Sequence, residues 1–510
     1  MSRTERVIGG TTISYLHQAA VVLLGLWLTP FLLRRVGQHG YGLWLVAGQL
    51  LGYLTLLDLG VIAILPREIA FASGRPDRQA ADELIASLVM QVRRIVRWQL
   101  PLLVLACAIV WLFLPTAWES LRWPLALVFV AFVAMYPLRI LAAVLQGLQD
   151  LPFLARTQLV GWALGTIVTI AFVVAGAGIF ALVGGWIVTV GFPAVAAWWR
   201  VRRLLPYLST STSPPQIREY FGRSIWVSVA QVAQVLLAGS DLLLLGQILG
   251  PSAVVPYACT GKLVTVFANH PQLLMHAAQP ALTELRASQS KARLASVATA
   301  LTQAMLMMSG ALVVVILPAN HYFVNWWVGP AQYSGWLMTV ALTGMMLLRH
   351  WNVSTVYTLF CFGYERQLSL TSLADGIVTV AATVLCVHMW GPVGAPLASI
   401  IGVVTVSLPV NVRSVAHEMG LTVRAFVGSI APLFIRIAAT GVAAAVASTW
   451  LIEQTLVGVM LLLLSTTALY AAMVLPLALN GPVGPYLRMA LPIFGRSAAA
   501  PEVEPQAATR

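Results

Sequence analysis

Apolar runs long enough to cross a bilayer, about 20 residues each, recur from one end of this chain to the other. The first covers residues 13–33, and the last covers 455–478. Few folds tolerate that pattern. In hydrocarbon every backbone N–H and C=O must be paired within the protein, and a helix pairs them within a single segment. The chain is 59% hydrophobic and 9% charged, against roughly 25% charged residues in a soluble domain. Its principal solvent is lipid, and the first run is a retained span rather than a leader: Arg34 and Arg35 follow it directly, with no small-residue cleavage site. Cys107, Cys259, Cys361 and Cys386 lie in or beside apolar segments and read as small core residues, with no metal-ligand spacing.

Hydropathy breaks predict about fourteen transmembrane helices. The spans that matter below are 13–33, 42–65, 98–114, 124–146, 224–249, 253–280, 336–362, 368–389 and 428–450. Loops are too short for a folded domain. The longest loop expected outside, 319–335, carries Tyr322, Trp326, Trp327 and Tyr333, which read as an interfacial aromatic belt.

The formal charge of +13 invites a nucleic-acid reading, but the placement of the charges favours a membrane. With the N-terminus cytoplasmic, the only loop cations left outside are Arg34, Arg35 and Arg122. That bias predicts a multi-pass protein of the cell (inner) membrane with both termini cytoplasmic, and no nucleic-acid partner. Residues 75–97, with Arg93, Arg94 and Arg97 before Trp98, fit a helix on the anionic inner leaflet or an extension of the third span. The basic, Ser/Thr/Pro-rich stretch 200–222 reads as a linker.

A weak internal repeat agrees with that division. "FLLRRVGQHGYGLW" (31–44) and "LLLLGQILGPSAVVPY" (242–257) share an apolar span, a glycine turn at Gly37 or Gly250, and a following aromatic. The expected domains are an N-lobe of spans 1–6 with the linker (1–220), a C-lobe of spans 7–12 (221–418), and two further spans with a tail (419–510). Six spans per lobe predict a symmetry axis along the membrane normal.

The stretches "LTPFLLRRVGQHGYGLWLVAGQLLGYLTLLDLGV" (28–61), "LQGLQD" (145–150), "SDLLLLGQILGPSAVVPYACTGKL" (240–263), "PALTEL" (280–285) and "NWWVGPAQYSG" (325–335) resemble the polysaccharide and O-antigen flippases of the multidrug/oligosaccharidyl-lipid/polysaccharide exporter superfamily. The resemblance implies an all-α polytopic membrane protein with two pseudo-symmetric six-helix lobes in a V around a central cavity, plus two C-terminal helices. It implies movement of polyprenyl-diphosphate-linked saccharide units to the outer leaflet by alternating access, for cell-surface polysaccharide biosynthesis. Membrane lipids and polysaccharide assembly proteins are the other expected partners. No enzymatic step, no metal and no resident cofactor are expected. The doubled cation Arg34–Arg35 in the first outside loop departs from the family pattern; it fits an outward-facing gate or lipid phosphates.

Ionisable groups at membrane depth are costly and usually face a cavity or a partner. Asp58, Arg139, Asp241, Lys262, Arg349, Asp375 and Arg436 all fall within predicted spans. The expected cavity cations, contacts for a diphosphate headgroup, are Lys262, Arg139 and Arg349, joined by His17 and Arg35. Each has a plainer alternative. Lys262 fits a fixed ion pair with Asp58 or Asp241. Arg139 fits a side chain snorkelling to an interface, and His17 a satisfied core histidine or a gate on a bending first helix. Arg349 adjoins His350 and Asn352, a polar patch suited to a cavity wall, and Arg436 ranks last. The acids Asp58, Asp241 and Asp375 are candidates for coupling to a proton or sodium ion. Asp58 alternatively pairs with a cation or bonds a neighbouring helix end, and Asp241 and Asp375 alternatively meet water near span ends. Two competing readings remain: an ion-coupled multidrug or small-solute antiporter of the same fold, and a membrane glycan polymerase or ligase. The second would want acids or histidines clustered on sizeable outside loops. Glu119, Glu453, His39 and His321 are scattered.

Overall fold

The computed structural model describes residues 3–74, 76–205, 217–287, 291–450 and 455–490. Residues 206–216 of the expected linker and 491–510 of the C-terminal tail lie outside the described residues. Among the described residues every regular element is helical, and ten stretches are long and apolar enough to cross a membrane. The chain is an all-α, multi-pass membrane protein.

Two compact units divide it. One comprises Met1–Cys259, Val324–Ser334 and Ser372–Ala398; the other comprises Thr260–Phe323, Gly335–Thr371 and Ser399–Arg510. The first unit begins with α1 (Arg3–Thr55), a long helix interrupted at Gly37, whose φ of 82° and ψ of 160° break it between the first two predicted spans. A second break ends the predicted span 42–65 early. Residues Leu56–Asp58 form a 3-10 turn, Leu59 and Gly60 adopt left-handed φ of 50° and 68°, and α2 (Val61–Ser73) starts afresh. Helix α3 (Arg78–Leu112) is continuous, so residues 78–97 of the basic stretch extend the third span rather than forming a separate surface helix. Asp77 caps it, accepting from the Gln79 and Ala80 amides.

Helices α4 (Arg122–Met135) and α5 (Arg139–Gly147) are the two parts of one predicted span, joined by the 3-10 turn Tyr136–Leu138. Helices α6 (Leu151–Val174) and α7 (Ile179–Leu204) follow. They pack backbone to backbone: a Cβ on Gly165 would collide with the Thr189 hydroxyl, and one on Gly185 with the Thr169 hydroxyl. Small residues permit such an approach where lipid offers no hydrophobic driving force. Next come α8 (Ile217–Ile248) and α9 (Pro251–Thr260). They meet at Gly250, which takes φ 89°, the same hand as Gly37, as the repeat requires.

The predicted span 253–280 is broken into α9, α10 (Lys262–Phe267) and α11 (Asn269–Ala287). Helix α12 (Lys291–Val328) runs through most of the expected outside loop 319–335. The aromatic belt there needs correcting. Trp326 is exposed, but Trp327 is buried and its indole N–H donates to the Leu26 carbonyl, which makes it a fastening inside the first unit.

The remaining helices are α13 (Trp336–Cys361), α14 (Glu365–Trp390), α15 (Gly394–Gly402), α16 (Leu408–Glu418), α17 (Val423–Trp450), α18 (Leu456–Asn480) and α19 (Gly484–Ala490). Within the second unit Leu306, Leu347, Phe362, Phe426, Ile437 and Tyr470 share one core. The Tyr470 hydroxyl donates to the Met307 carbonyl at 2.6 Å, so α18 is both packed and hydrogen-bonded to α12.

Candidate functional site

The break after α1 builds a polar cluster inside the first unit. A straight helix would leave Asp58 with its own backbone already paired. The left-handed pair Leu59–Gly60 instead turns the chain so that the Gly60 amide donates to Asp58 Oδ1 at 2.8 Å. The second oxygen, Oδ2, accepts from Arg139 Nη2 at 3.1 Å. Gln99 Nε2 donates to the Asp58 carbonyl at 3.0 Å, and the Tyr136 hydroxyl donates to Gln99 Oε1 at 3.3 Å. The Tyr136 ring in turn lies 5.5 Å from the Arg139 guanidinium. Four elements thus fix one cation.

The fixing is one-sided. The Asp58 side chain is 3% exposed, whereas that of Arg139 is 35% exposed, and Arg139 Nη1 is itself buried with no hydrogen-bond partner. Arg139 lines a cavity of about 520 Å³ in the first unit, with Trp44, Trp186, Tyr136, Thr55 and Gln158 among its walls. That volume is ordinary for a small-molecule site. Because Asp58 offsets the charge of Arg139, an anion in this cavity would be held through directed N–H groups more than through net charge. The guanidinium's planar fork suits phosphate oxygens, flat indoles suit sugar-ring faces, and the amide and hydroxyl suit sugar hydroxyls.

The other expected residues fall elsewhere. His17, also in the first unit, meets the Trp162 ring edge-on at 5.7 Å, with its Nε2 buried. Arg35 is exposed just before the Gly37 break. Asp241 accepts from the Tyr257 hydroxyl at 2.6 Å and from the Leu242 amide at 2.8 Å. Asp375 is 1% exposed and accepts from Thr379 Oγ1 at 3.1 Å. Lys262 opens α10 in the second unit. Arg349, in the same unit, is tied to Ser399 through Nε at 3.1 Å and through Nη2 to its hydroxyl and carbonyl, both at 3.0 Å. His350 is 2% exposed and meets Ser309 Oγ at 2.6 Å, and Asn411 donates to Asn352 at 2.9 Å. The polar patch at 349–352 is therefore a set of helix-to-helix ties. Arg436 donates to the Met473 carbonyl at 2.8 Å. Sequence reasoning missed Gln99, Tyr136, Trp44, Trp186 and Gln158. A glutamine and a tyrosine inside otherwise apolar spans were the available signal for the first two.

Residues 100–329 match the family described as polysaccharide biosynthesis protein. The fold is similar to that of the lipid II flippase MurJ in an inward closed conformation: TM-score 0.63 at 9% identity, covering 93% of this chain and 99% of that one. It is also similar to an inward-facing multidrug resistance MATE family transporter of the MOP superfamily, with TM-score 0.54 at 12% identity, covering 82% of this chain and 98% of that one. No curated protein matches the chain. The family match covers less than half of the chain, and the all-α polytopic fold that the sequence resemblance implied is the fold found.

Proposed function

We propose that this protein is a flippase that carries polyprenyl-diphosphate-linked saccharide units from the cytoplasmic to the outer leaflet of the cell membrane. The observation that carries this reading is Arg139. Its guanidinium is held by Asp58, partly exposed, and set in a largely apolar cavity that also holds Trp44, Trp186, Tyr136, Thr55 and Gln158. A lipid-linked saccharide has a polar head that cannot cross hydrocarbon unaided and a tail that need not leave it. Arg139 meets the diphosphate, Trp44 and Trp186 face the sugar rings, and alternating access moves the head between the two sides. The polysaccharide family match and the flippase-like fold support the same cargo class. Lys262, in the second unit, is proposed separately as a cation that meets the cargo. Asp241 and Asp375 are the coupling acids for a proton or sodium ion, Asp58 being engaged with Arg139. Both termini are cytoplasmic, and no residue is given a catalytic role.

The test is reconstitution in liposomes with a polyprenyl-diphosphate oligosaccharide, read by its accessibility to a lectin on each side. Wild type should move the saccharide, and Arg139→Gln should stop movement while the protein still inserts. Full transport by that variant would remove Arg139 from the mechanism. The transporter-like fold similarity to a multidrug exporter keeps one rival: drug export. Drug resistance conferred by expression, without rescue of a glycan-export mutant, would favour that rival.

A further inference from the structure

A second pocket, of about 270 Å³, is lined by Pro30, Leu33, Arg34, Gln38, Val328 and Gln332, all within the first unit. Its construction is specific. The Gly37 break in α1 falls between Arg34 and Gln38. Gly329, with φ 96°, ends α12 and starts the 3-10 turn Pro330–Gln332. The Trp327 indole fastens that segment to the Leu26 carbonyl. Gln332 is 8% exposed, and its Nε2 donates to Gln38 Oε1 at 3.1 Å, while Gln38 Nε2 donates to the Ser252 carbonyl at 2.8 Å. Two side-chain amides are thus locked beside the exposed Arg34 guanidinium.

We propose that this pocket is a second headgroup site, which takes the phosphate and adjoining sugar of the cargo on the outer side. The inference rests on the flippase reading and on its orientation. A cation outside runs against the charge bias that orients the chain, so an arginine kept there has a use. Arg34 excludes cations, and the amides disfavour an acyl tail. The same groups match a glycosyl phosphate: the fork binds phosphate oxygens, and the Gln38 amide, which donates one N–H to Ser252, has its second N–H for a hydroxyl. The volume is slightly below the usual small-molecule range, enough for the end of a headgroup rather than a whole oligosaccharide. One helix links this site with the Arg139 cavity, because Trp44 to Thr55 of α1 line the latter. Gln38 and Thr55 lie about 25 Å apart along it at 1.5 Å per residue, a span that carries cargo from one site to the other.

The experiment uses the full chain in phosphatidylcholine nanodiscs and inorganic pyrophosphate as probe, with wild type, Arg34→Gln, Arg34→Lys and Arg139→Gln compared. Arg34→Gln should weaken pyrophosphate binding about tenfold or more, as loss of a charge-assisted contact does. Arg34→Lys should fall between, and the Arg34-dependent component should persist in Arg139→Gln. Coincident wild-type and Arg34→Gln titrations, with unchanged melting, would overturn the proposal. Phosphatidylglycerol in the disc separates the two sources of phosphate: if it abolishes the Arg34-dependent component, the occupant is a resident lipid and the cargo assignment fails. Failure of the flippase reading looks different: wild type then moves no saccharide, although Arg34-dependent binding remains.

Discussion

Arg139 and Asp58, 81 residues apart, meet at 3.1 Å with Asp58 almost wholly buried and Arg139 a third exposed. The acid is thus a holder and the cation the presented group. Loss of one partner from a fully buried pair costs about 3–5 kcal/mol, and from a surface pair about 0–1; this half-buried pair should lie between, near ~2 kcal/mol. Asp58→Ala should therefore lower the melting temperature and free Arg139, reducing saccharide transport. Asp58→Asn keeps an acceptor for Gly60 and should cost less stability. If transport by Asp58→Asn responds to proton and sodium gradients as wild type does, Asp58 has no part in coupling.

Leu59 is a leucine in left-handed backbone, φ 50°. That conformation costs a non-glycine residue about 1–2 kcal/mol, whereas a glycine costs about 0.5–1 kcal/mol in unfolded-state entropy. Leu59→Gly should be neutral to slightly stabilising, by up to ~1 kcal/mol. Gly60→Val, at φ 68°, should destabilise. Thermal unfolding in detergent reads both, and the opposite ordering would mean that the Asp58 turn is not held as described.

The spans were legible in the sequence because lipid punishes any other backbone state, and Asp58 and Arg139 stood out as charges within them. Their pairing was not legible, since it depends on two helix breaks whose signals are subtle. One is Asp58-Leu-Gly60, an ordinary tripeptide by composition. The other is Pro137, which gives no direction. Gln99 and Tyr136 were overlooked because a single neutral polar residue in a span is usually unremarkable. The stretch 319–335 reads as an outside loop with an interfacial aromatic belt of Tyr322, Trp326, Trp327 and Tyr333, but α12 continues through most of it and Trp327 turns inward. Arg349 carried the same sequence signal as Arg139, and only geometry separates a tie to Ser399 from a cavity cation.

The α6–α7 contact should be intolerant of a single methyl. A Cβ on Gly185 falls on the Thr169 hydroxyl and lies 2.7 Å from the Gly165 carbonyl. The backbone oxygen cannot rotate away. Gly185→Ala should cost about 1–3 kcal/mol, the usual price of overpacking, and Thr169→Ser in the same chain should not restore it. Expression level and melting temperature measure this, and full stability of Gly185→Ala would show a looser interface.

Trp44 and Trp186 line the Arg139 cavity. Stacking on an aromatic face needs the ring and not the indole N–H, so Phe at either position should leave saccharide transport within about threefold, whereas Ala should lower it about tenfold, by analogy with aromatic pairs worth ~0.5–1.5 kcal/mol beyond area. Transport of the same carrier lipid bearing no sugar should be insensitive to all four changes. Equal losses with and without the sugar would assign the indoles to shaping the cavity.

Arg349 provides the contrast that isolates the role of Arg139. Three hydrogen bonds to Ser399 use Nε and Nη2, a geometry that a lysine's single ammonium does not reproduce. Arg349→Lys keeps the charge and loses that fork, so it should lower the melting temperature by the worth of one or two hydrogen bonds, about 1–3 kcal/mol. Ser399→Ala should remove the hydroxyl contacts alone and cost less, and the two changes together should cost less than their sum because they delete the same interaction. At Arg139 the order reverses: Arg139→Lys should retain much of the stability, since an ammonium still meets Asp58, yet lose saccharide transport because the second N–H pair is gone. Measuring melting and transport on all four variants decides the matter. If Arg349→Lys loses transport without losing stability, it is a cargo contact and the tie to Ser399 is incidental.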